Sequence, residues 1–420
     1  MPPSKYLIVG SSHAGLSALE AIRMRDTEGS IMLVSREEAL PYSPTILPYV
    51  VSGQIDQERI FLRDEETLNR LGVRFRRGEN VTAVDSTTHT VTLATGKTLE
   101  YEKLLLATGA APSLPPVEGL GKVSYHVLRT LEDALRLRRA VEQNGSALVL
   151  GAGLIGMHAA ENMARGGVQV TVVEALPHVL PGYFDDQAAG LIQQVVTKEG
   201  IRIITGRTVK LVSVNGGAFV ASLDSGEELS SDLFLVSTGV QPRIGYLSWS
   251  GMELDRGILV DERMQTSAGG IWAAGDVAQA HGFFDSGKRL NTTLPDAVEQ
   301  GRIAGMAMVD DPALKPYSGG IAQNTYKFFG HRSFSVGLIT APPSAEGIEV
   351  TEVFLPDDVR YQKLLFQGNR LVGASGINSD LDPGIMCQLI RRRVDLGEVK
   401  KKFADAPLET GRILMSKIWR

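Results

Sequence analysis

The sequence predicts an α/β fold with two nested units of parallel strands and helices, followed by a C-terminal α+β domain. Two observations lead to this prediction. First, glycine-rich segments at residues 10–15 and 151–156 each follow a short apolar run and precede a helix-like stretch. Second, the apolar run that ends in Thr-Gly at Gly109 returns at Gly239. Such an internal repeat indicates that a domain has been duplicated.

The first glycine motif reads Gly-Ser-Ser-His-Ala-Gly and follows the apolar residues 6–9. A strand, a tight glycine turn and a helix form the Rossmann-like setting in which backbone N–H groups and the helix dipole bind a pyrophosphate. The motif therefore predicts a dinucleotide-binding unit. Its predicted contact residues are Gly10, Ser12, His13, Ala14 and Gly15.

The second motif, Gly-Ala-Gly-Leu-Ile-Gly, follows the apolar residues 147–150 and predicts contacts from Gly151, Gly153, Ile155 and Gly156. The alternative for both motifs is an ordinary strand-to-helix turn, and the matching context around the pair disfavours it. Glu174 lies 23 residues after the first glycine of the second motif, where a carboxylate accepts hydrogen bonds from a ribose hydroxyl. A 2′-phosphate would be repelled there, so NAD is predicted rather than NADP.

The order of the remaining elements predicts the domain boundaries. A second strand is expected at 31–34, a buried strand at 101–109, and a proline-rich linker after residue 112. Another short strand with a glycine turn is expected at 270–276. Alternating stretches and a basic helix at 385–394 predict the α+β domain. The predicted domains are a discontinuous first unit at 1–112 and 245–320, a second unit at 113–244, and the α+β domain at 321–420.

Composition narrows the possible functions. The 420 residues are 43% hydrophobic and 22% charged with a net charge of −5, which predicts a globular protein without a nucleic-acid partner. Neither a signal peptide nor a membrane-spanning run is recognised, so a cytoplasmic location is predicted. The chain has one cysteine, Cys387, which excludes an intramolecular disulfide and a cluster held by four thiolates. No metal site is predicted.

The motifs occur in the order found in one large enzyme family. The two glycine motifs, both Thr-Gly turns and the segment Ala-Ala-Gly-Asp at 273–276 resemble the FAD-dependent pyridine nucleotide-disulfide oxidoreductase superfamily. Segments at 40–44, 361–365 and 389–393 are similar to those of the NADH-dependent ferredoxin and rubredoxin reductases. Longer segments at 40–53 and 157–162 resemble the NADH-linked flavin subunits of the phenylglyoxylate dehydrogenase type.

This resemblance implies that the first unit binds FAD and the second unit binds NAD. Asp276 would hydrogen-bond the ribityl chain, although a plain turn aspartate is the alternative. The helix following residues 295–300 would point its positive N-terminus at the pyrimidine edge of the flavin. Further cofactor-binding residues implied by the family are Pro44, Thr108, Gly109, Gly239 and Gly275.

Departures from the family pattern are also informative. Ser35 stands where an acid is expected to bind the FAD ribose, and Arg36 is predicted to stack on adenine instead. Thr45 aligns with the redox cysteine of related disulfide reductases and peroxidases. A threonine hydroxyl is not a redox group, so disulfide reduction and thiol-based peroxide reduction are excluded.

A paired departure concerns the expected hydride-transfer site. Ferredoxin reductases carry a lysine and a glutamate where this chain has Tyr49 and His158. Joint replacement avoids an uncompensated buried charge. The two side chains either form a hydrogen bond beside the nicotinamide or pack separately, and together with Thr45 they are the candidate catalytic residues. Glu161, one turn after His158, is expected to be exposed.

Three functions remain open. The resemblance implies an NAD-linked electron-transfer subunit of a 2-oxoacid dehydrogenase that contains thiamine diphosphate and iron–sulfur subunits. A stand-alone reductase of a small iron–sulfur carrier would use the same cofactors. The third is a flavin-bearing scaffold with a vestigial nucleotide site, which the intact Gly151 motif and Glu174 disfavour. Partner contacts are expected in the C-terminal domain, at Phe328-Phe-Gly330 and Arg391-Arg-Arg393, although a solvated helix face would equally explain the arginines.

Overall fold

A computed structural model describes residues 3–285, 287–341 and 347–418. The strands are β1 Ser4–Val9, β2 Ile31–Val34, β3 Val73–Arg76, β4 Val81–Asp85, β5 Thr90–Leu93, β6 Thr98–Leu106, β7 Ala110–Pro112, β8 Ser146–Leu150, β9 Gln169–Val173, β10 Arg202–Ile204, β11 Val209–Asn215, β12 Ala218–Leu223, β13 Glu228–Ser231, β14 Leu233–Val236, β15 Val240–Pro242, β16 Ile258–Leu259, β17 Ile271–Ala273, β18 Ala278–His281, β19 Lys288–Leu290, β20 Gln323–Phe328, β21 His331–Gly337, β22 Ile348–Leu355, β23 Arg360–Gln367 and β24 Arg370–Ile377. The helices are α1 His13–Arg25, α2 Leu47–Val51, α3 Glu65–Arg70, α4 Leu131–Gln143, α5 Leu154–Arg165, α6 Asp186–Lys198, α7 Leu294–Met308, α8 Pro383–Arg391, α9 Lys400–Asp405 and α10 Pro407–Ile418.

The chain divides into two compact units. Unit 1 comprises Met1–Ile46, Ile55–Ala111 and Val240–Ile321, and unit 2 comprises Leu47–Gln54, Pro112–Gly239 and Ala322–Arg420. The predicted C-terminal segment thus clusters with the second nucleotide-fold segment. The predicted division into three domains stays a prediction.

Unit 1 is built on a seven-stranded sheet in the order β3-β2-β1-β6-β5-β4, with β17 also paired to β6. Strands β1, β2, β3, β17 and the second half of β6 run parallel, and β4 and β5 form an antiparallel extension. All four residues of β2 are buried, which explains why this strand is a continuous apolar run.

Two helices of unit 1 pack with their backbones unusually close. A Cβ added at Gly301 of α7 would overlap the carbonyl of Ala14 in α1, and one at Gly305 would overlap that of Ala18. Glycine is therefore required at both α7 positions for this approach. The close packing fixes α7 beside the first turn of α1.

Unit 2 repeats the arrangement. Its parallel sheet has the order β10-β9-β8-β14, which matches β3-β2-β1-β6 strand for strand, and β11-β12-β13 form the antiparallel extension. The predicted duplication is therefore confirmed, and the two glycine motifs stand at equivalent places. The five-stranded antiparallel sheet β20-β21-β24-β23-β22 and helices α8 to α10 form the predicted α+β portion.

A partly buried ion pair ties the α+β portion to the parallel sheet region within unit 2. Asp185 caps α6 through the N–H of Ala188 at 3.0 Å. Its other carboxylate oxygen accepts hydrogen bonds from the Tyr361 hydroxyl at 2.5 Å and from the Lys363 ammonium at 2.7 Å. The structure thus joins the segment at 361–365, whose sequence is similar to that of the reductases, to the N-terminal end of α6.

None of the helices in the part of the chain that the structure describes is both long and apolar enough to cross a membrane.

Candidate nucleotide-binding sites

Two long helices, α1 and α5, begin without a side-chain cap. Ser12 before α1 and Gly153 before α5 provide no side-chain acceptor to the first turn. By contrast, five other helices have a capping side chain that accepts a backbone hydrogen bond, namely α3, α4, α6, α7 and α8. An uncapped N-terminus leaves N–H groups and a positive dipole end for an anion. The two glycine motifs thus precede the helix ends that fit a pyrophosphate.

The first loop has the backbone that a nucleotide requires. Gly10 has a φ of +117°, and a Cβ on it would overlap the carbonyl oxygen of Ala107. A Cβ on Gly15 would overlap the carbonyl oxygen of Gly10. Side chains are thus excluded where the loop turns from β1 into α1. The loop fits a dinucleotide pyrophosphate at the uncapped end of α1.

The structure brings other predicted residues of unit 1 to this loop. A Cβ built on Gly275 would lie 3.1 Å from the Cβ of Ala14, so the turn containing Asp276 abuts the first turn of α1. Thr108 lies directly after Ala107, and its hydroxyl is 3.1 Å from that of Tyr246. These contacts bring two predicted cofactor residues of unit 1, Gly275 and Thr108, to the loop that contains Gly10.

A polar chain connects three neighbouring residues beside the same loop. The His13 imidazole lies 2.8 Å from the Ser43 hydroxyl, which lies 2.9 Å from the hydroxyl of Thr45. Burial lowers the pKa of His13 below its usual value, so this imidazole is neutral at pH 7. Pro44 begins the short helical turn that presents Thr45 to solvent. His13 and Thr45 are thus linked through Ser43, which was not among the predicted site residues.

The predicted ribose position of unit 1 has no acid. Ser35 directly follows β2 and is buried, and its hydroxyl accepts a hydrogen bond from the N–H of Glu37 at 3.2 Å. The Glu37 carboxylate accepts one from Tyr42 at 2.5 Å. Arg36 is exposed. Its stacking on adenine stays a prediction.

The second loop repeats the geometry of the first. Gly151 has a φ of +104°, and a Cβ on Gly156 would overlap the Gly151 carbonyl oxygen. Gly153 faces open space, since no heavy atom lies within 4 Å of a Cβ built there. Ile155 is exposed in the first turn of α5. An open approach to an uncapped helix end is the shape that a second pyrophosphate needs.

Glu174 directly follows β9 and is equivalent to Ser35 in the duplicated unit. Its carboxylate is buried and accepts hydrogen bonds from the N–H groups of Ala152 at 2.7 Å and Leu176 at 2.9 Å. Each carboxylate oxygen retains a second lone pair, so a ribose hydroxyl still has an acceptor. Across the sheet, Gly239 has a φ of +110°, and its carbonyl accepts a hydrogen bond from Ser113 at 2.9 Å.

The two candidate catalytic residues of unit 2 are neighbours. The rings of Tyr49 and His158 have centroids 6.2 Å apart at 59°, and no hydrogen bond joins these two described side chains. His158 instead packs edge-on against Tyr326, with centroids 4.7 Å apart. Burial lowers the pKa of His158 to about 4 and raises the pKa of Tyr49 above its usual value. Both side chains are therefore uncharged at pH 7.

The expectation that Glu161 is exposed was wrong. Its carboxylate is buried and accepts hydrogen bonds from Arg165 at 2.9 and 3.0 Å and from the N–H of Phe329 at 2.8 Å. The Arg165 guanidinium lies 5.2 Å from the centroid of the Phe329 ring. The turn between β20 and β21 thus packs on α5 and covers Glu161, so Phe329 makes an internal contact.

Sequence reasoning missed two residues at these sites. Tyr326 is fully buried beside His158, and its hydroxyl has no hydrogen-bond partner among the described residues. Gln300 is fully buried in α7, and its amide oxygen accepts a hydrogen bond from Gly275 at 2.9 Å. Gln300 had no distinguishing sequence signal, because it stands between the charged residues Glu299 and Arg302 in α7. Tyr326 carried none.

Comparison with known proteins agrees with this geometry. The family described as "Pyridine nucleotide-disulphide oxidoreductase" matches residues 4–301. The NADH-dependent phenylglyoxylate dehydrogenase subunit epsilon of Aromatoleum evansii is 50% identical over 419 residues, covering 99% of this chain and 98% of that protein. The rubredoxin-NAD(+) reductase of Pseudomonas putida is 31% identical over 315 residues, covering 74% of this chain and 82% of that protein.

A solved structure extends the similarity to the complete fold. The crystal structure of the covalent putidaredoxin reductase–putidaredoxin complex matches with a TM-score of 0.85 and 25% identity, covering 96% of this chain and 98% of that chain. Two uncapped helix ends, two glycine loops and this match lead to the same assignment. The chain belongs to the pyridine nucleotide-disulphide oxidoreductase family and is an oxidoreductase that uses FAD and NAD(H).

Proposed function

We propose that this chain is the FAD-containing, NAD(H)-dependent electron-transfer subunit of a multisubunit, CoA-acylating 2-oxoacid dehydrogenase of the phenylglyoxylate type. The observation that carries the proposal is the 50% identity, over nearly the full length of both chains, to subunit epsilon of an NADH-dependent phenylglyoxylate dehydrogenase. A cytoplasmic location stays part of this proposal.

The electron partner must lie outside the chain. One cysteine, Cys387, is present in 420 residues, and it is buried. A cluster requires several thiolates, and a redox disulfide requires two. Thr45 provides no thiol at the position of the family's redox cysteine. Iron–sulfur subunits that receive electrons from a thiamine diphosphate subunit are therefore the proposed partners.

The bound cofactors supply the conversion between single electrons from iron–sulfur clusters and a hydride delivered to NAD. The chain's own residues bind and orient them. In unit 1, the glycine loop before α1 would hold the FAD pyrophosphate, with Thr108, Gly109 and Asp276 beside it. In unit 2, the loop before α5 would hold the NAD pyrophosphate, and Glu174 would accept a ribose hydroxyl.

We propose that Tyr49 and His158 act at the hydride-transfer site as uncharged groups. Where the related ferredoxin reductases have an ion pair, the buried His158 is neutral and contributes no charge of its own. Their proposed role is to shape the site and to orient the nicotinamide, because hydride transfer between stacked rings requires no acid–base group from the protein.

A stand-alone reductase of ferredoxin or rubredoxin is the second candidate. It is favoured by the 31% identity to a rubredoxin reductase and by the fold match to a reductase that was crystallised with its carrier. The two functions share cofactors and differ in the electron partner.

Anaerobic absorbance spectroscopy of the purified chain tests the proposal. NADH should bleach the flavin spectrum, and reoxidation should then require the iron–sulfur subunits of the dehydrogenase. Rapid reoxidation by free ferredoxin or rubredoxin would support the second candidate instead. Co-expression with the partner subunits should give a complex that survives gel filtration and reduces NAD with phenylglyoxylate and CoA. Absence of NADH bleaching would refute both functions.

A further inference from the structure

A chain of buried hydrogen bonds connects the Gly275–Asp276 turn with the start of α7 in unit 1. The Gly275 N–H donates to Gln300 at 2.9 Å, and the Gln300 amide nitrogen donates to the Tyr317 hydroxyl at 3.3 Å. Tyr317 in turn donates to Asp296 at 2.8 Å. The relative solvent exposure of the residue is 0% for Gln300, 4% for Tyr317 and 1% for Asp296. This set, Gly275–Gln300–Tyr317–Asp296, is called the α7 relay.

The relay has one consistent direction. The Gly275 N–H can only donate, so the oxygen of the Gln300 amide must face it and the NH₂ group must face Tyr317. The Tyr317 oxygen then accepts, and its proton points to Asp296. Thr293 closes the chain by donating its hydroxyl to the other Asp296 oxygen at 2.6 Å. Each member therefore fixes the orientation of the next one.

The relay ends on elements that contact the first glycine loop. Gly275 has a φ of +78°, and a Cβ built on it would lie 3.1 Å from the Cβ of Ala14 in the first turn of α1 and 3.7 Å from that of Ala297 in α7. Gln300 thus spans from α7 to the turn that presents Asp276. A substitution that removes the Gln300 amide oxygen leaves the buried Gly275 N–H without its acceptor.

Packing alone does not explain these polar residues. The glycines of α7 already bring that helix against α1, and an apolar side chain of the same volume would fill the position of Gln300. Burying a side-chain amide costs little free energy only where its polar groups form hydrogen bonds. Here the satisfied partner is the backbone of the Gly275–Asp276 turn.

We propose that Gln300 and Tyr317 are positioning residues for FAD: they fix the Gly275–Asp276 turn against the glycine loop and thereby set FAD affinity and the flavin reduction potential. This inference rests on the proposed assignment of Asp276 to FAD binding. The two residues act through the turn and are not themselves catalytic.

Variants that remove one polar group each test the relay. Gln300→Met keeps the volume and removes the acceptor of Gly275, and Tyr317→Phe removes one oxygen. Tyr6→Phe is the matched control, because the Tyr6 hydroxyl also donates to an aspartate, Asp26, at 2.8 Å in the same unit. The measurements are FAD affinity of the deflavinated chain by fluorescence titration, the flavin reduction potential, and the midpoint of thermal unfolding.

Gln300→Met is expected to weaken FAD binding roughly tenfold and to shift the reduction potential. Tyr317→Phe should weaken FAD binding by a smaller factor. The double variant Gln300→Met/Tyr317→Phe should have the same FAD affinity as Gln300→Met alone, because both substitutions break the same chain of hydrogen bonds. Tyr6→Phe should change the unfolding midpoint and leave FAD affinity and potential as in the wild type.

Two results would overturn the inference. One is a Gln300→Met variant with a lower unfolding midpoint but wild-type FAD affinity and potential. The other is an equal loss of FAD affinity in Tyr6→Phe. Failure of the proposed function gives a different result in the wild-type chain itself, which would then show either no NADH-dependent bleaching of a flavin or rapid reoxidation of the flavin by a free carrier.

Discussion

The carboxylate of Glu174 accepts a hydrogen bond from the backbone N–H of Ala152 at 2.7 Å, so the residue after β9 holds the middle of the second glycine loop. The equivalent residue after β2 in unit 1 is Ser35, whose hydroxyl instead accepts from Glu37. The duplicated units therefore differ at the position where a ribose is expected. This difference makes Glu174 the residue to test for nucleotide choice.

Glu174→Arg is expected to shift the preference of the enzyme from NADH towards NADPH. The substitution removes a ribose acceptor and adds a cation that binds a 2′-phosphate. The Ala152 N–H also loses its acceptor, so the efficiency with NADH should fall at least tenfold. The ratio of kcat/KM for the two nucleotides measures the shift.

Glu199→Arg provides the charge-matched control, because Glu199 is exposed at the end of α6. It should leave the ratio of NADH to NADPH efficiency unchanged. An unchanged ratio in Glu174→Arg would contradict the ribose assignment.

Gly153→Ala is expected to weaken NADH binding without harming the fold. Gly153 has a φ of −71°, and the structure leaves open space at its Cβ position, so alanine fits the free protein. The added methyl group would occupy the approach of the pyrophosphate to α5. We expect a rise of roughly tenfold or more in the NADH dissociation constant, with an unfolding midpoint within a few degrees of the wild type.

Gly190→Ala is the matched control, since its Cβ position is also open and the residue belongs to helix α6 rather than to the glycine loop. It should leave NADH binding unchanged and stabilise the helix slightly. Equal NADH affinity for Gly153→Ala and wild type would show that the nucleotide does not approach there.

The parts of the sites that could be predicted from sequence are those fixed by local backbone geometry. Gly10 and Gly151 need positive φ angles that glycine readily adopts, and their spacing to Gly15 and Gly156 follows from one turn into a helix. The continuous apolar strands before them are typical of parallel sheets buried on both faces. These signals lie within a few residues of one another.

The residues that escaped prediction depend on distant contacts. Glu161 is covered by Phe329, 168 residues away, and the i to i+4 pair with Arg165 resembles an ordinary exposed helix pair. Gln300 bonds Gly275, 25 residues away, through an amide whose partner no local pattern reveals. The burial of Glu161 could be predicted only if the pairing of β20 with β21 and the packing of their turn on α5 were already known.

The double substitution Tyr49→Lys/His158→Glu is expected to be milder than His158→Glu alone. A single carboxylate at position 158 would be buried without a partner and would lie one turn from Glu161, costing about 3 kcal/mol of unfolding free energy. A lysine at position 49 restores the ion pair of the related reductases and should recover more than half of that loss. Urea unfolding of the double variant and of both single variants measures the coupling free energy between positions 49 and 158. Strictly additive losses of unfolding free energy would contradict a restored ion pair.

The stability of the chain should depend on His158 between pH 6.5 and 4. Burial lowers the pKa of folded His158 from 6.5 to about 4, so the unfolded chain binds its proton first as the pH falls. The neutral imidazole therefore contributes its full stability above pH 6.5, and this contribution is lost as the pH falls to 4, by on the order of 2 kcal/mol. His158→Phe cannot be protonated and should lose correspondingly less stability over the same interval. The difference between the urea midpoints of the two proteins at pH 7 and at pH 4.5 isolates this effect, because every other titrating group is common to both. A constant difference across that range would show that His158 titrates alike in the folded and unfolded chains, and that its imidazole is not held neutral beside Tyr326.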